Sequence, residues 1–171
     1  MQTWDAIRAR RNVRTFTPQA VPTHDLDQIL EAGRRAPSAS NWQPWDFVVV
    51  TARAQLQRLA GVWRGASHVA GAAAAIAIVA PEPTDDRSAS LLQYDLGQVT
   101  MAMAIAAADL GVGTGHAAVR DQDLAREVLG LPEDRQLAYL LSVGYPADRP
   151  LRVIKHPDRR PFDEVVHRER W

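Results

Sequence analysis

The segment Arg10-Arg-Asn-Val-Arg-Thr-Phe16 places three arginines within five positions of a chain whose formal net charge is zero. A guanidinium group is planar and presents paired N–H donors that suit phosphate oxygens. A second pair, Arg159 and Arg160, lies close to the other end of the 171-residue chain. The two clusters form one anion site if the fold brings them together, and are otherwise solvated patches balanced by nearby acids. Spacing alone favours the solvated patches.

The second unusual segment is Pro37-Ser-Ala-Ser-Asn-Trp-Gln-Pro-Trp45, which is dense in turn-forming residues. Ser38, Asn41 and Gln43 offer uncharged donors and acceptors on a loop that the prolines stiffen. Such a loop can bind the polar edge of a planar heterocycle. Its side chains can equally satisfy the backbone of the loop itself. The residues alone leave both interpretations open.

Hydrophobic periodicity predicts helices, strands and one apolar segment that fits either. The predicted helices are Met1–Arg10, a segment capped by Thr23 that ends before Pro37, Ala52–Ala60, Ser88–Leu110 and Asp121–Leu129. The predicted strands are Phe47–Val50 and Leu137–Val143, and Ala72–Ala80 is a strand or a buried helix. Strands interleaved with helices indicate a single α+β or α/β domain over residues 1–171.

The helix predicted over Ser88–Leu110 is nearly apolar from Val99 to Ala108. This pattern is typical of a helix buried in a core or in an interface between subunits. Gly111-Val-Gly-Thr-Gly115 follows, and we predict that these glycines end the helix. From Tyr145 onward proline, arginine, aspartate and histidine dominate, so we expect this tail to wrap over other parts of the protein.

Composition excludes several kinds of site. The balance of 20 lysines and arginines against 20 acids argues against a nucleic-acid-binding surface. The absence of cysteine excludes disulfides and thiolate catalysis, and no histidine pair has the spacing of a metal site. The longest uncharged apolar stretch, Val69–Pro81, is too short to cross a membrane, so we expect a cytoplasmic protein. With no catalytic side chain evident, the chemistry should come from a bound cofactor.

Three segments taken in order, Arg10–Phe16, Ala36–Trp45 and Arg159-Arg-Pro-Phe-Asp-Glu-Val-Val-His167, resemble the nitroreductase family across essentially the whole chain. The resemblance implies an α+β fold, an α/β/α sandwich around a central, mostly antiparallel sheet, in an intertwined homodimer. It implies FMN at the dimer interface and NADH or NADPH as electron donor. Hydride would pass through flavin N5 to an electron-poor small-molecule acceptor, such as a nitroaromatic or a quinone, by a ping-pong mechanism.

The resemblance also implies which residues contact FMN. These are Arg10, Arg11, Asn12, Arg14, Pro37, Ser38, Ala39, Asn41, His68, His116, Ala118, Arg159 and Arg160. The loop containing Pro37 and Asn41 would reach the flavin from the second subunit. No metal ligand and no catalytic side chain is expected, because the flavin carries the chemistry.

Three positions depart from the family pattern. Pro157 stands where the family often has lysine, which leaves Lys155, the only lysine of the chain, as a replacement. Asn12 stands where serine is usual, and Ala118-Val119 replaces a glycine-containing pair near flavin N5. These departures keep other interpretations open: an FMN carrier or redox sensor with little turnover, a relative with dehalogenase or flavin-oxidase chemistry, or a generic anion site without flavin.

Overall fold

A computed structural model describes all 171 residues. The helices are α1 (Thr3–Ala9), α2 (Thr23–Arg34), α3 (Arg53–Leu59), α4 (Asp86–Asp109), α5 (Gln122–Leu129) and α6 (Phe162–Val165). The strands are β1 (Asp46–Val50), β2 (Ala74–Pro81), β3 (Gly113–Ala118) and β4 (Arg135–Gly144). A 3₁₀ segment, Arg64–Gly71, leads into β2. The apolar segment that fitted either structure is therefore a strand.

The four strands form one antiparallel sheet in the order β1-β2-β4-β3. Successive side chains of a strand point to opposite faces. On β2, Ile76 and Ile78 pack with α2 and α4 on one face, whereas Ala77 and Val79 pack with α3 and α5 on the other. Burial on both faces explains the uninterrupted apolar run. The predicted α+β sandwich with helices on both sides of an antiparallel sheet is confirmed.

Helix α4 is the longest element and begins with a reciprocal cap. The backbone N–H of Ser88 donates to Asp85 Oδ1 at 2.7 Å, and the Asp85 N–H donates to Ser88 Oγ at 3.0 Å. Such a capping box satisfies two donors that a helix start otherwise leaves free. One face of α4 buries Leu96 and Met103 in the core, while Met101 is exposed. Helix α4 therefore packs against the core with one face only.

Two predictions about element boundaries were wrong. Thr23 is the first helical residue of α2, and Pro22 occupies the cap position. The glycines after α4 do not all serve as a stop: Gly111 ends the helix with a φ of +74°, but Gly113 and Gly115 belong to β3. A side chain at Gly115 would collide with the Val13 carbonyl and lie 2.6 Å from Ser142 Oγ. Close approach of another chain segment, rather than a turn, requires glycine there.

The tail begins against the first part of the chain and then leaves it. The Ile154 N–H donates to the Arg8 carbonyl at 3.1 Å. Residues 155–171 are all exposed, and α6 has no buried residue. Within one chain, the predicted wrapping is therefore confined to the residues before 155. No helix combines the length and apolar character needed to span a membrane.

A candidate cofactor site around the N-terminal arm

Residues 10–16, the N-terminal arm, run alongside the free edge of β3. The Val13 N–H donates to the Thr114 carbonyl at 2.8 Å, and Asn12 forms a parallel bridge with Thr114. Val13 itself is fully buried. Because neither Gly113 nor Gly115 carries a side chain, the arm can lie directly on the strand. The sheet therefore fixes the backbone on which the first arginine cluster stands.

A cleft of about 280 Å³ opens between the arm, β3 and α4. It is lined by Arg10, Asn12, Gly97, Thr100, Met101, Ala104, Thr114, His116 and Leu141. Arg10 lines this cleft, and its Nε atom is buried without any hydrogen-bond partner within the chain. An unsatisfied buried donor costs about 1–3 kcal/mol. A ligand with an acceptor atom in the cleft would remove that cost.

The backbone of β3 adds polar groups to the same edge. Because Thr114 accepts from the arm, its peptide groups face away from β4. Alternation along an antiparallel pair directs the peptide groups of His116 and Ala118 to the same free edge. The His116 ring packs on Tyr139 at a centroid distance of 4.7 Å. The His116 side chain is exposed on β3, but desolvation by the surrounding protein lowers its pKa and leaves the imidazole uncharged at neutral pH.

His68 lies beneath the arm in a buried polar chain. Ser142 Oγ lies 3.1 Å from the Gly115 carbonyl oxygen, to which it donates, and shares a hydrogen bond of 2.9 Å with His68 Nδ1. Burial and then the positive charge of Arg14 lower the pKa of His68. The imidazole is therefore uncharged at neutral pH. His68 Nε2 is buried and has no partner.

Arg14 and His68 line a second depression of about 400 Å³ next to the arm. Arg14 is exposed there, whereas His68 is buried. The arm thus has Arg10, Asn12 and His116 at one cavity and Arg14 and His68 at a second one. Sequence reasoning missed Ser142, whose only signal is a hydroxyl within the apolar strand Leu140–Val143.

The loop at residues 37–45 stands on α4. The Ala39 N–H donates to both carboxylate oxygens of Asp95, at 3.2 and 3.1 Å. Asp95 is buried, and sequence reasoning missed it although an acid inside an apolar helix is a visible signal. Ser38 Oγ accepts from the Gln43 N–H at 2.8 Å, so this side chain satisfies the loop itself.

Part of the loop remains free for a ligand. Asn41 is exposed, and its side chain makes no hydrogen bond within the chain. Ser40, Asn41 and Gln43 adopt φ values of 50°, 55° and 53°. Residues other than glycine rarely take this left-handed conformation, and those that do cluster at active sites and ligand clamps. Ser38 therefore satisfies the backbone of the loop, whereas the Asn41 side chain has no partner within the chain.

The second arginine cluster does not join the arm within one chain. Arg159 donates to the Asp158 carbonyl at 2.6 Å, and Arg160 pairs with Glu164. Neither forms a hydrogen bond or ion pair with the arm. Lys155 instead reaches a groove that contains Arg11. Arg11 donates to Asp148 Oδ1 at 2.7 Å, and this hydrogen bond lowers the pKa of Asp148.

Known proteins share both the sequence and the fold of this chain. The sequence profile described as "Nitroreductase family" matches residues 7–81 and 62–145. A "Putative NADH dehydrogenase/NAD(P)H nitroreductase" of Archaeoglobus fulgidus is 30% identical over 169 residues, which cover 96% of each chain. A protein of the same description from Methanothermobacter thermautotrophicus is 30% identical over 176 residues, covering 100% of this chain and 88% of that one.

Solved structures extend the likeness. An "FMN-dependent Nitroreductase" of Clostridium difficile superposes with a TM-score of 0.83 at 22% identity, covering 98% of this chain and 99% of that chain. The NADPH:FMN oxidoreductase of Vibrio harveyi, complexed with NAD⁺, also gives 0.83, at 24% identity, and covers 99% of this chain and 77% of its own. At these identities the likeness establishes a shared fold.

Proposed function

This chain belongs to the nitroreductase family, and on that premise we propose that residues 1–171 form one FMN-binding domain of an NAD(P)H-dependent oxidoreductase. The proposed acceptor is an electron-poor small molecule, such as a nitroaromatic or a quinone. FMN bound to this chain would supply the two-electron redox chemistry that links NADH or NADPH to the acceptor in two half-reactions. Everything else in the mechanism is binding, orientation and electrostatics supplied by the protein.

The observation that carries this proposal is Arg10, which lines a cleft beside Asn12 and the edge of β3 and whose buried Nε has no partner within the chain. The polar edge of a flavin ring, or its phosphate, supplies the acceptors that such a donor lacks. A guanidinium also stabilises negative charge that develops on a ring during reduction. Asn12 can donate or accept a hydrogen bond in the place where the family usually has serine.

No side chain needs to act as acid or base. His68 and His116 both have lowered pKa values and are neutral at neutral pH. They therefore offer hydrogen bonds without adding positive charge beside Arg10 and Arg14. The free peptide edge at His116 and Ala118 supplies backbone groups that can orient a planar ligand. Preorganised donors of this kind need not reorganise during the reaction.

We propose that the functional form is a homodimer. The loop that contains Asn41 is held by Asp95 on α4, and Gly97 and Met101, within the next two turns of the same helix, line the cleft. Exposed apolar side chains flank this region, including Tyr94 and Met101. Pairing two copies through α4 would cover these side chains and let the loop of one copy reach the cleft of the other.

Pairing would also provide a surface of the second copy on which the exposed tail can pack. Phe162, Val165 and Trp171 are exposed in the single chain, which a tail covered by a second copy would explain. It would give Arg159 and Arg160 a route to a flavin. A cytoplasmic location belongs to the same proposal, because that compartment supplies the nicotinamide donor.

The test is anaerobic reduction of the purified protein after saturation with FMN. We expect a yellow protein whose flavin absorbance is bleached by NADH or NADPH and restored by a nitroaromatic or a quinone. A gel-filtration mass of two chains is expected alongside. Protein that takes up no FMN would overturn the proposal.

A second candidate is an FMN carrier or redox sensor with little turnover. It is favoured by Ala118-Val119 at the flavin-facing edge and by Lys155, which lines the groove of Arg11 rather than the cleft of Arg10. Bleaching by dithionite but by neither nicotinamide would select this candidate. Dehalogenase or flavin-oxidase chemistry would instead appear as bleaching by donor followed by reoxidation with a different acceptor.

A further inference from the structure

A groove of about 490 Å³ lies on the opposite side of the arm from the Arg10 cleft. It is lined by Arg11, Arg149, Pro150, Arg152, Val153, Ile154, Lys155 and His156, and is called the basic groove below. Its outer wall is held in place by the hydrogen bond from the Ile154 N–H to the Arg8 carbonyl. A walled groove with this many cations is a candidate anion site.

The charges of the basic groove are only partly neutralised. Arg11 is fixed by two hydrogen bonds of 2.7 Å, to Asp148 Oδ1 and to the Arg149 carbonyl. Arg149, Arg152 and Lys155 form no ion pair within the chain. Three cations in one groove without acidic partners repel one another, and a bound anion relieves that repulsion.

The basic groove is distinct from the cleft at Arg10. In an extended arm, successive side chains point to opposite sides. Arg10 and Asn12 line the cleft, while Arg11 between them lines the groove, and the two cavities share no residue. A ligand held by Arg10 and Asn12 therefore leaves the groove open to a second ligand.

Charge matching indicates what that second ligand is. A phosphate monoester carries a charge of about −1.5 to −2 near neutral pH, less than the three unpaired cations can neutralise. A dinucleotide with a pyrophosphate and a further 2′-phosphate carries more. Arginine forks also suit terminal phosphate oxygens.

We propose that the basic groove binds the phosphate groups of the nicotinamide donor, and that Arg149 and Arg152 favour NADPH over NADH through the 2′-phosphate. The inference rests on the proposed function, which supplies the donor, and adds its phosphate subsite and the basis of donor preference. Arg11 forms the inner wall shared with the arm.

The test is calorimetric titration of the full-length protein with adenosine 2′,5′-bisphosphate and with adenosine 5′-monophosphate. We expect the bisphosphate to bind more tightly, and the Arg149→Ala/Arg152→Ala variant to weaken its binding by about tenfold or more, the scale of one charge-assisted hydrogen bond. The variant should raise KM for NADPH much more than KM for NADH. Arg87→Ala is the matched control, because Arg87 is exposed on α4 away from the groove.

Two results would overturn the inference: bisphosphate binding unchanged in the double variant, or a loss of FMN affinity in that variant with bisphosphate binding intact. The second result would assign the groove to the flavin phosphate. Failure of the proposed function is distinguishable, because bisphosphate binding needs neither flavin nor turnover. If the wild-type protein takes up no FMN but binds the bisphosphate through Arg152, the inference about the groove stands and the proposed flavin function fails.

Discussion

The N-terminal arm and the C-terminal tail carry similar arginine clusters but are held in very different ways. The arm is fixed to β3 through Val13, which is fully buried and bonded to Thr114. The tail after residue 155 is exposed and bonds mainly to itself. The difference shows that neighbouring apolar and small residues fix the backbone of the arm, and that the tail has no such anchor within one chain.

Replacing the glycine beneath the arm should produce the largest effect. In Gly115→Val, the new side chain collides with the Val13 carbonyl and crowds Ser142 Oγ. We expect the free energy of unfolding to fall by about 1–3 kcal/mol, the usual cost of overpacking, together with loss of FMN binding. Denaturant unfolding and flavin titration measure the two effects.

The matched control for this substitution is Gly71→Ala, since nothing lies within 4 Å of a Cβ placed at Gly71. Its unfolding free energy should stay within about 0.5 kcal/mol of the parent protein. Equal stability of the Gly115 and Gly71 variants would show that the arm is not pressed against β3.

Removing the partly buried guanidinium of Arg10 should produce the next largest effect. We expect Arg10→Ala to weaken FMN binding by about 1.5–3 kcal/mol, the range for hydrogen bonds to charged groups. Fluorescence titration of the apoprotein with FMN measures this, with Arg87→Ala as control. Unchanged affinity combined with slower flavin reduction would indicate that Arg10 contacts the flavin ring rather than the phosphate.

The corresponding change in the tail tests whether the two regions converge. The resemblance to the family predicts that Arg159→Ala also weakens FMN binding by about 1.5–3 kcal/mol. Because Arg159 is exposed in the single chain, we expect the lower end of that range. An affinity equal to that of the parent protein would remove Arg159 from the site and leave the arm to bind flavin without it.

The smallest expected difference is in pH dependence. Because the pKa of His68 is lowered from 6.5 in the folded protein, the unfolded chain binds more protons just below that pH. The contribution of His68 to the free energy of unfolding should therefore have its full value above about pH 6.5. It should decrease as the pH drops from there toward the folded-state pKa. His116, whose pKa is also lowered by desolvation, contributes with the same sign.

Denaturant unfolding between pH 5 and 8 measures this slope. His68→Asn should flatten it, whereas His167→Asn should not, because His167 is exposed in the tail. A slope that survives in the His68 variant at full strength would assign the acid sensitivity to other groups.

Much of the fold was predictable because its signals are local. The helix capped by Asp121 and the strand around Leu137–Val143 were predicted from spacing and composition, whereas the apolar run of β2 fitted either a strand or a buried helix. Strand β3 was missed because its glycines resemble a turn; their cause is the arm, which lies about 100 residues earlier in the chain. Asp95 and Ser142 were missed for the same reason, since each acts through a partner distant in sequence.

The sequence by itself determined the α+β class, the family and the set of polar residues from which a flavin site can be built, because each depends on residue identity and order. The tertiary structure alone decided that Arg10 and Arg11 face different cavities. It also decided that His68 is buried and neutral, and that Arg159 stays apart from the arm in one chain. These outcomes depend on contacts between segments that are far apart in the sequence. The packing of the arm on the glycines of β3 is the contact that orients Arg10 and Arg11.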